Sequence, residues 1–153
     1  PALLAAFLVA TATPHWLSQS TISAGKLDDT IWQPFDEDII PRLVAEGKTV
    51  YVDVTADWCI TCLVNKGVVL GDQRVKDLLS SDKIIAMQAD WTKPSVAISR
   101  YLAKYGRYGI PFNIVYGPKK PDGVVLPELL SAGAVLDAFG AVDDQVLTAQ
   151  NNR

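Results

Sequence analysis

Thr49-Val50-Tyr51-Val52-Asp53-Val54-Thr55 is a run of β-branched and aromatic residues that leads, through Ala56-Asp57-Trp58, into Cys59-Ile60-Thr61-Cys62. Such a run reads as a strand buried on both faces, because apolar residues flank the single Asp53. The Cys-x-x-Cys segment then opens the next helix. Its cysteines are the only two in the 153-residue chain. Thiols this close can form a small disulfide ring and reopen it, passing two electrons each time. A pair three positions apart closes too short a loop to add much stability, and cysteine usage alone does not fix the compartment. Two cysteines cannot complete a tetrahedral zinc site, and the lone His15 is far from them in sequence, so no metal is expected. Redox chemistry is the first reading, and two buried, idle cysteines are the alternative.

The rest of the chain alternates helix and strand. Phe35, Ile39, Ile40, Leu43 and Val44 recur at helical spacing behind Asp36-Glu37-Asp38, with Gly47 closing the helix. Asp72 to Ser80 reads as a further short helix, and Lys83 to Ala89 as a second buried strand. Thr92-Lys93-Pro94 is a capped start for a helix running to about Tyr105. Phe112 to Tyr116 and Val124 to Leu126 form a hairpin around Gly117-Pro118 and Pro121-Asp122-Gly123, and Val135 to about Val146 is a closing helix. This order predicts an α/β sandwich with a mixed central sheet flanked by helices. A Cys-x-x-Cys at a strand-to-helix junction within it is the thioredoxin signature.

Residues 1–17 are apolar and almost free of charge, 18–26 are small and polar, and the folded unit spans 27–149. The stretch before Pro14 is shorter than the roughly 20 residues a spanning helix needs. It reads as the end of a transmembrane helix, with Trp16 at the headgroup layer, or else as an apolar arm packed on the domain or a partner. The net charge of −3 offers no basic stripe for phosphates, so nucleic acid is not an expected partner.

Cys59, at the helix N-terminus, is the attacking thiol, because unpaired N–H groups there favour the thiolate. Cys62, one turn inward, resolves the mixed disulfide. Asp53, inside a buried strand, could take and return the proton of Cys62, or could be an ordinary acid on a solvated edge. Ile110-Pro111, just ahead of the hairpin, is expected to be a cis peptide whose Ile110 backbone pairs with an extended substrate segment. Trp58 is either a partner contact or a core aromatic.

Val52-Asp53-Val54-Thr55-Ala56-Asp57-Trp58-Cys59-Ile60-Thr61-Cys62, with Gly109-Ile110-Pro111 downstream, resembles the C-terminal thioredoxin-like domain of the DsbD family of membrane thiol:disulfide interchange proteins. Within it, Asn65-Lys66, Gln88-Ala89-Asp90-Trp91-Thr92, Arg107 to Asn113 and Leu126 to Leu130 look most like ScsB of suppressor-of-copper-sensitivity systems. The resemblance runs from about Trp32 to Ala141. It implies a domain on the periplasmic face of a bacterial inner membrane, tethered after a last transmembrane helix. Electrons would come from thioredoxin through a transmembrane domain, pass through Cys59 and Cys62, and leave through an N-terminal periplasmic domain to oxidised periplasmic proteins. No cofactor beyond the Cys59–Cys62 disulfide is implied. Lys66 stands where the family often has a second acid, so a two-carboxylate relay does not carry over, and its charge would favour the Cys59 thiolate slightly. Leu63 and Phe112 also depart from common family residues and would make the face around the site more apolar, with Phe112 a candidate partner contact.

Ile60-Thr61 supplies no charge to stabilise the thiolate strongly, which predicts a reducing potential nearer thioredoxin than the strongly oxidising DsbA. The competing functions are a disulfide oxidase or isomerase, and a module that captures Cu(I) with the same thiol pair.

Overall fold

The computed structural model describes residues 30–151. The apolar arm and the linker lie outside them, as does the start of the expected folded unit. Among the described residues, no helix is long and apolar enough to cross a membrane.

Among the described residues, five strands form one mixed sheet in the order β1-β3-β2-β4-β5. They are β1 (Trp32–Pro34), β2 (Thr49–Thr55), β3 (Ile84–Asp90), β4 (Phe112–Gly117) and β5 (Lys120–Val125). The first three run parallel, β4 is antiparallel to β2, and β5 is antiparallel to β4. Every residue of β2 is buried, as its composition predicts. Alternation then sorts its side chains. Val50, Val52 and Val54 face one layer, α1 (Ile40–Ala45) and α4 (Val96–Lys104), with Ile40, Val44, Ile98, Tyr101 and Leu102. Tyr51 faces the other, packed with Leu70, Val75, Leu78, Val135 and Phe139. That second layer holds α2 (Ile60–Val64), α3 (Gln73–Leu79), α5 (Ala132–Val142) and α6 (Asp144–Asn151).

Most helical segments of the described residues begin on an oxygen cap. Asp36 accepts from the Asp38 N–H, Asp72 from Arg74, Ser95 from Ile98 and Ser131 from Ala134. The α2 helix begins instead on sulfur, since Cys59 Sγ accepts from the Cys62 N–H at 3.2 Å. It continues into a π-helical turn, Asn65–Leu70. Asn65 is 2% exposed, and its amide spans two backbone groups of the segment ahead of α5. Its Nδ2 donates to the Glu128 carbonyl at 2.8 Å, and its Oδ1 accepts from the Leu130 N–H at 3.0 Å.

The sequence reading is altered at four places. The short strand β1 is given no assignment by the sequence pattern; only three residues long, it pairs along the edge of β3 and ends at Pro34, which has no N–H to offer a further neighbour. Ser95, rather than Thr92, caps α4. The hairpin turns on Pro118-Lys119, so Pro121-Asp122-Gly123 lies within β5, where an edge strand tolerates proline and Gly123 has φ +84°. The closing helix is broken at Asp143, whose backbone is extended and whose carboxylate accepts from the Gln145 N–H to start α6.

Candidate functional site

The end of β2 delivers the chain to the cysteines through a braced turn. Asp57 N–H donates to Thr92 Oγ1 at 3.0 Å and Trp58 Nε1 to the Thr92 carbonyl at 3.3 Å, while the Thr92 N–H donates to Asp90 Oδ1 at 2.8 Å. Thr92 is thus used to fasten the approach to the site, which accounts for its absence from the α4 cap.

Cys59 and Cys62 are joined by a disulfide, S–S 2.08 Å, with Cα atoms 5.2 Å apart. Cys59 is the more exposed, at 6% against 1% for Cys62. Ala56 packs beside them, and Ile110 closes over the group from the loop ahead of β4. The Ile110–Pro111 peptide is cis. Ile110 is thereby packed against the two cysteines, and the cis peptide expected at Ile110–Pro111 is present. Trp58 is 62% exposed, which settles its two readings against a core aromatic. Phe112 does not join this face. It is 3% exposed and packs on Tyr101 and Tyr105 in the opposite layer, because alternation along β4 puts it on the side of Ile114 and Tyr116.

Asp53 is 3% exposed, so the solvated-edge reading is set aside. It faces the layer that carries α2, by the same alternation that places Tyr51 there. Directly across from it stand Gln88 on β3 and Asn113 on β4, forming a polar row in register over the three central strands. Gln88 Nε2 donates to Asp53 Oδ2 in a long hydrogen bond of 3.5 Å. Asn113 is 1% exposed; its Oδ1 accepts from Tyr51 Oη at 2.6 Å, and its Nδ2 has no partner among the described residues. Burial pushes the Asp53 carboxyl up to about 6, against the opposing pull of the Lys66 charge and the Gln88 amide. Burial and the Asp53 charge hold the Tyr51 phenol well above its ordinary range.

Lys66, half-buried in the π-helical turn, acts on Asp53 and also on Asp90, whose carboxyl is held down first by hydrogen bonds from Thr92 and then by this cation. Lys66 thus lies in the π-helical turn that follows α2 rather than in α2 itself. Gln88, Asn113 and Tyr51 were missed as site residues. The signal was a lone polar residue inside each of three apolar runs, which becomes meaningful only once the strands are in register.

Among the described residues, no cluster of three or more His, Cys, Asp or Glu side chains could hold a metal ion. A two-residue-loop disulfide on the layer that Asp53 also faces, with the Asp53 carboxyl pushed up to about 6, is equipped for thiol–disulfide exchange, with the protein's own sulfurs as the redox group.

The sequence matches a family described as thioredoxin-like over residues 31–118. It is 29% identical over 115 residues to the thiol:disulfide interchange protein DsbD of Yersinia pestis, covering 71% of this chain and 19% of that protein. The DsbD of Ralstonia nicotianae is 27% identical over 92 residues, covering 58% of this chain and 15% of that protein. The chain thus spans less than a fifth of the length of these curated relatives. A solution structure of a thioredoxin from Thermus thermophilus superposes with a TM-score of 0.52 at 18% identity, covering 77% of this chain and 85% of that one.

Proposed function

Because the chain belongs to the thioredoxin-like family, we propose that it is the electron-relaying, reductase-type domain of a membrane thiol:disulfide interchange protein. The observation that carries this reading is the Cys59–Cys62 disulfide on the cap of α2, closed over by Ile110 ahead of the cis Pro111. The likeness to DsbD proteins supports the membrane setting, as does the apolar composition of residues 1–17. On this reading residues 1–17 end a transmembrane helix, 18–26 are a linker, and 27–149 work at the periplasmic face of a bacterial inner membrane. The motifs from Asn65-Lys66 to Leu126–Leu130 favour the suppressor-of-copper-sensitivity branch, ScsB.

In the reducing direction, the Cys59 thiolate attacks one sulfur of a partner disulfide. A Cys59–partner disulfide forms, and the partner's other sulfur leaves as a thiolate and takes up a proton. Cys62 then gives its proton to the Asp53 carboxylate and attacks Cys59 Sγ. The internal disulfide closes, and the partner's second sulfur leaves and is protonated. Two electrons pass from the dithiol to the partner, whose two sulfurs take up protons from solvent, and Asp53 releases the Cys62 proton to solvent to restore its carboxylate. Thiols delivered from the membrane side reverse these steps to regenerate the dithiol. Trp58 and Ile110 line the partner's approach, and the cis Pro111 presents the Ile110 backbone to an extended segment of it.

Trapping with Cys62→Ala tests the scheme. The variant should accumulate a stable mixed disulfide through Cys59 in membrane extracts, identifiable by mass, and lose at least about 100-fold in turnover because the resolving attack is gone. Full insulin reduction by Cys59→Ser would overturn it. Oxidation of reduced ribonuclease outpacing insulin reduction would assign the domain to disulfide donation instead.

A further inference from the structure

The polar row across the sheet contains more than the proposed proton relay uses. An ionised carboxylate only accepts hydrogen bonds, and Asp53 receives one long donor from Gln88. On its other side, directly across on β4, Asn113 carries a buried amide donor with no acceptor among the described residues. Residues directly opposite on antiparallel strands have Cβ atoms roughly 4.5–5.5 Å apart, so a small side-chain rotation or one bridging water joins the two groups. The amide is also oriented. Tyr51 lies on the Asp53 face two residues back, its phenol stays protonated, and its hydroxyl holds Asn113 Oδ1. The NH2 arm is thereby turned away from Tyr51.

We propose that Asn113, held by Tyr51, is a positioning residue for thiol exchange: its side-chain NH2 favours the ionised form of Asp53 and keeps that carboxylate ready to accept the Cys62 proton. This rests on the role given to Asp53 above. The groups that face Asp53 are Lys66 from the π-helical turn, Gln88 from β3, Asn113 from β4 and Tyr51 from its own strand, with Asp90 sharing the Lys66 charge. Lys66 and Gln88 alone leave the carboxyl at about 6. A donor from the β4 side acts in the same direction as both. Burying an amide donor unpaired is costly, and the ionised carboxylate is the acceptor nearest in register.

The test is a carboxyl NMR titration of Asp53 in the oxidised chain, comparing wild type, Asn113→Leu and Tyr51→Phe. Asn113→Leu should move the Asp53 midpoint up by about one pH unit, and Tyr51→Phe should move it in the same direction by less. Tyr51→Phe removes one oxygen and keeps the ring packing, so it gives a reading even if the leucine variant does not fold. A midpoint unchanged in the folded variants overturns the proposal. The pH profile of the resolving step in the reduced protein should shift in parallel; a carboxyl that moves while the profile stays fixed overturns the role in exchange. If the wild type performs no exchange at all, the proposed function fails, while the oxidised-state titration still decides whether Asn113 acts on Asp53.

Discussion

Asp53 holds a charge where the fold would be more stable without one. Its carboxyl titrates at about 6 in the folded chain, above the ordinary 3.8, because burial penalises the anion. The folded state therefore holds this proton more tightly than the unfolded state. Below about pH 4 the group is neutral in both states and costs nothing. As pH rises through 6 the folded chain must ionise it, and the lost stability reaches about 3 kcal/mol. Asp53→Asn should accordingly stabilise the protein at pH 8 by about 2–3 kcal/mol, with the gain vanishing near pH 4. Urea unfolding at the two pH values measures it; an equal gain at both would show that packing, not charge, is responsible. Cys59, Cys62 and Asp53 were legible in the sequence because each is chemically conspicuous in a local pattern. Asn113 was not, since a single asparagine inside the strand read over 112–116 gains meaning only once its cross-strand neighbour Asp53 is known.

The elements were legible where one local signal dominated. β2 begins and ends where its β-branched run does, and α3 begins behind the aspartate that caps it. The misreadings arose where tertiary pairing overrode local preference. Pro121-Asp122-Gly123 is turn-like in isolation but lies inside β5 as the irregular stretch between Lys120 and Val124, which pair with Gly117 and Val115 of β4, and Asp143 breaks a run whose apolar spacing continues through it. The π-helical turn after α2 had no sequence signal at all. What fixes it is the Asn65 amide, which reaches across to Glu128 and Leu130. Asn65→Ala would strand a buried N–H and a carbonyl together, and should cost about 2–4 kcal/mol by chemical denaturation. Hydrogen exchange should speed up at Leu130 before it does in β2. Loss of protection in β2 first would place the keystone elsewhere.

Taken whole, the molecule surrounds its small disulfide with apolar surface. Trp58, Ile60, Leu63 and Val64 flank the cysteines along the chain at 62%, 78%, 49% and 44% exposure, and Tyr108, two residues before Ile110, is 83% exposed. Singly such residues are ordinary, but several around a reactive group suit docking to a protein partner. Ile60→Glu and Leu63→Glu touch no core contact and should leave stability within about 0.5 kcal/mol. They should slow reduction of a protein disulfide about tenfold or more while hardly changing exchange with dithiothreitol. Equal slowing of both reactions would mean that the thiolate itself, rather than docking, had been disturbed.

The row of Gln88, Asp53 and Asn113 has a consequence for how the sheet assembles. In a strand, a slip of one residue exchanges its two faces, and a slip of two preserves the faces but changes every partner. β2 is apolar enough that hydrophobic burial alone would tolerate the second kind of error. Slipping by two would set the Asp53 carboxylate against Tyr51's usual neighbours, Ala86 on one side and Val115 on the other, with no amide in reach. The residues that tune the proton thus also act as an alignment mark, making one pairing of the three central strands distinguishable from its neighbours while the sheet is still forming.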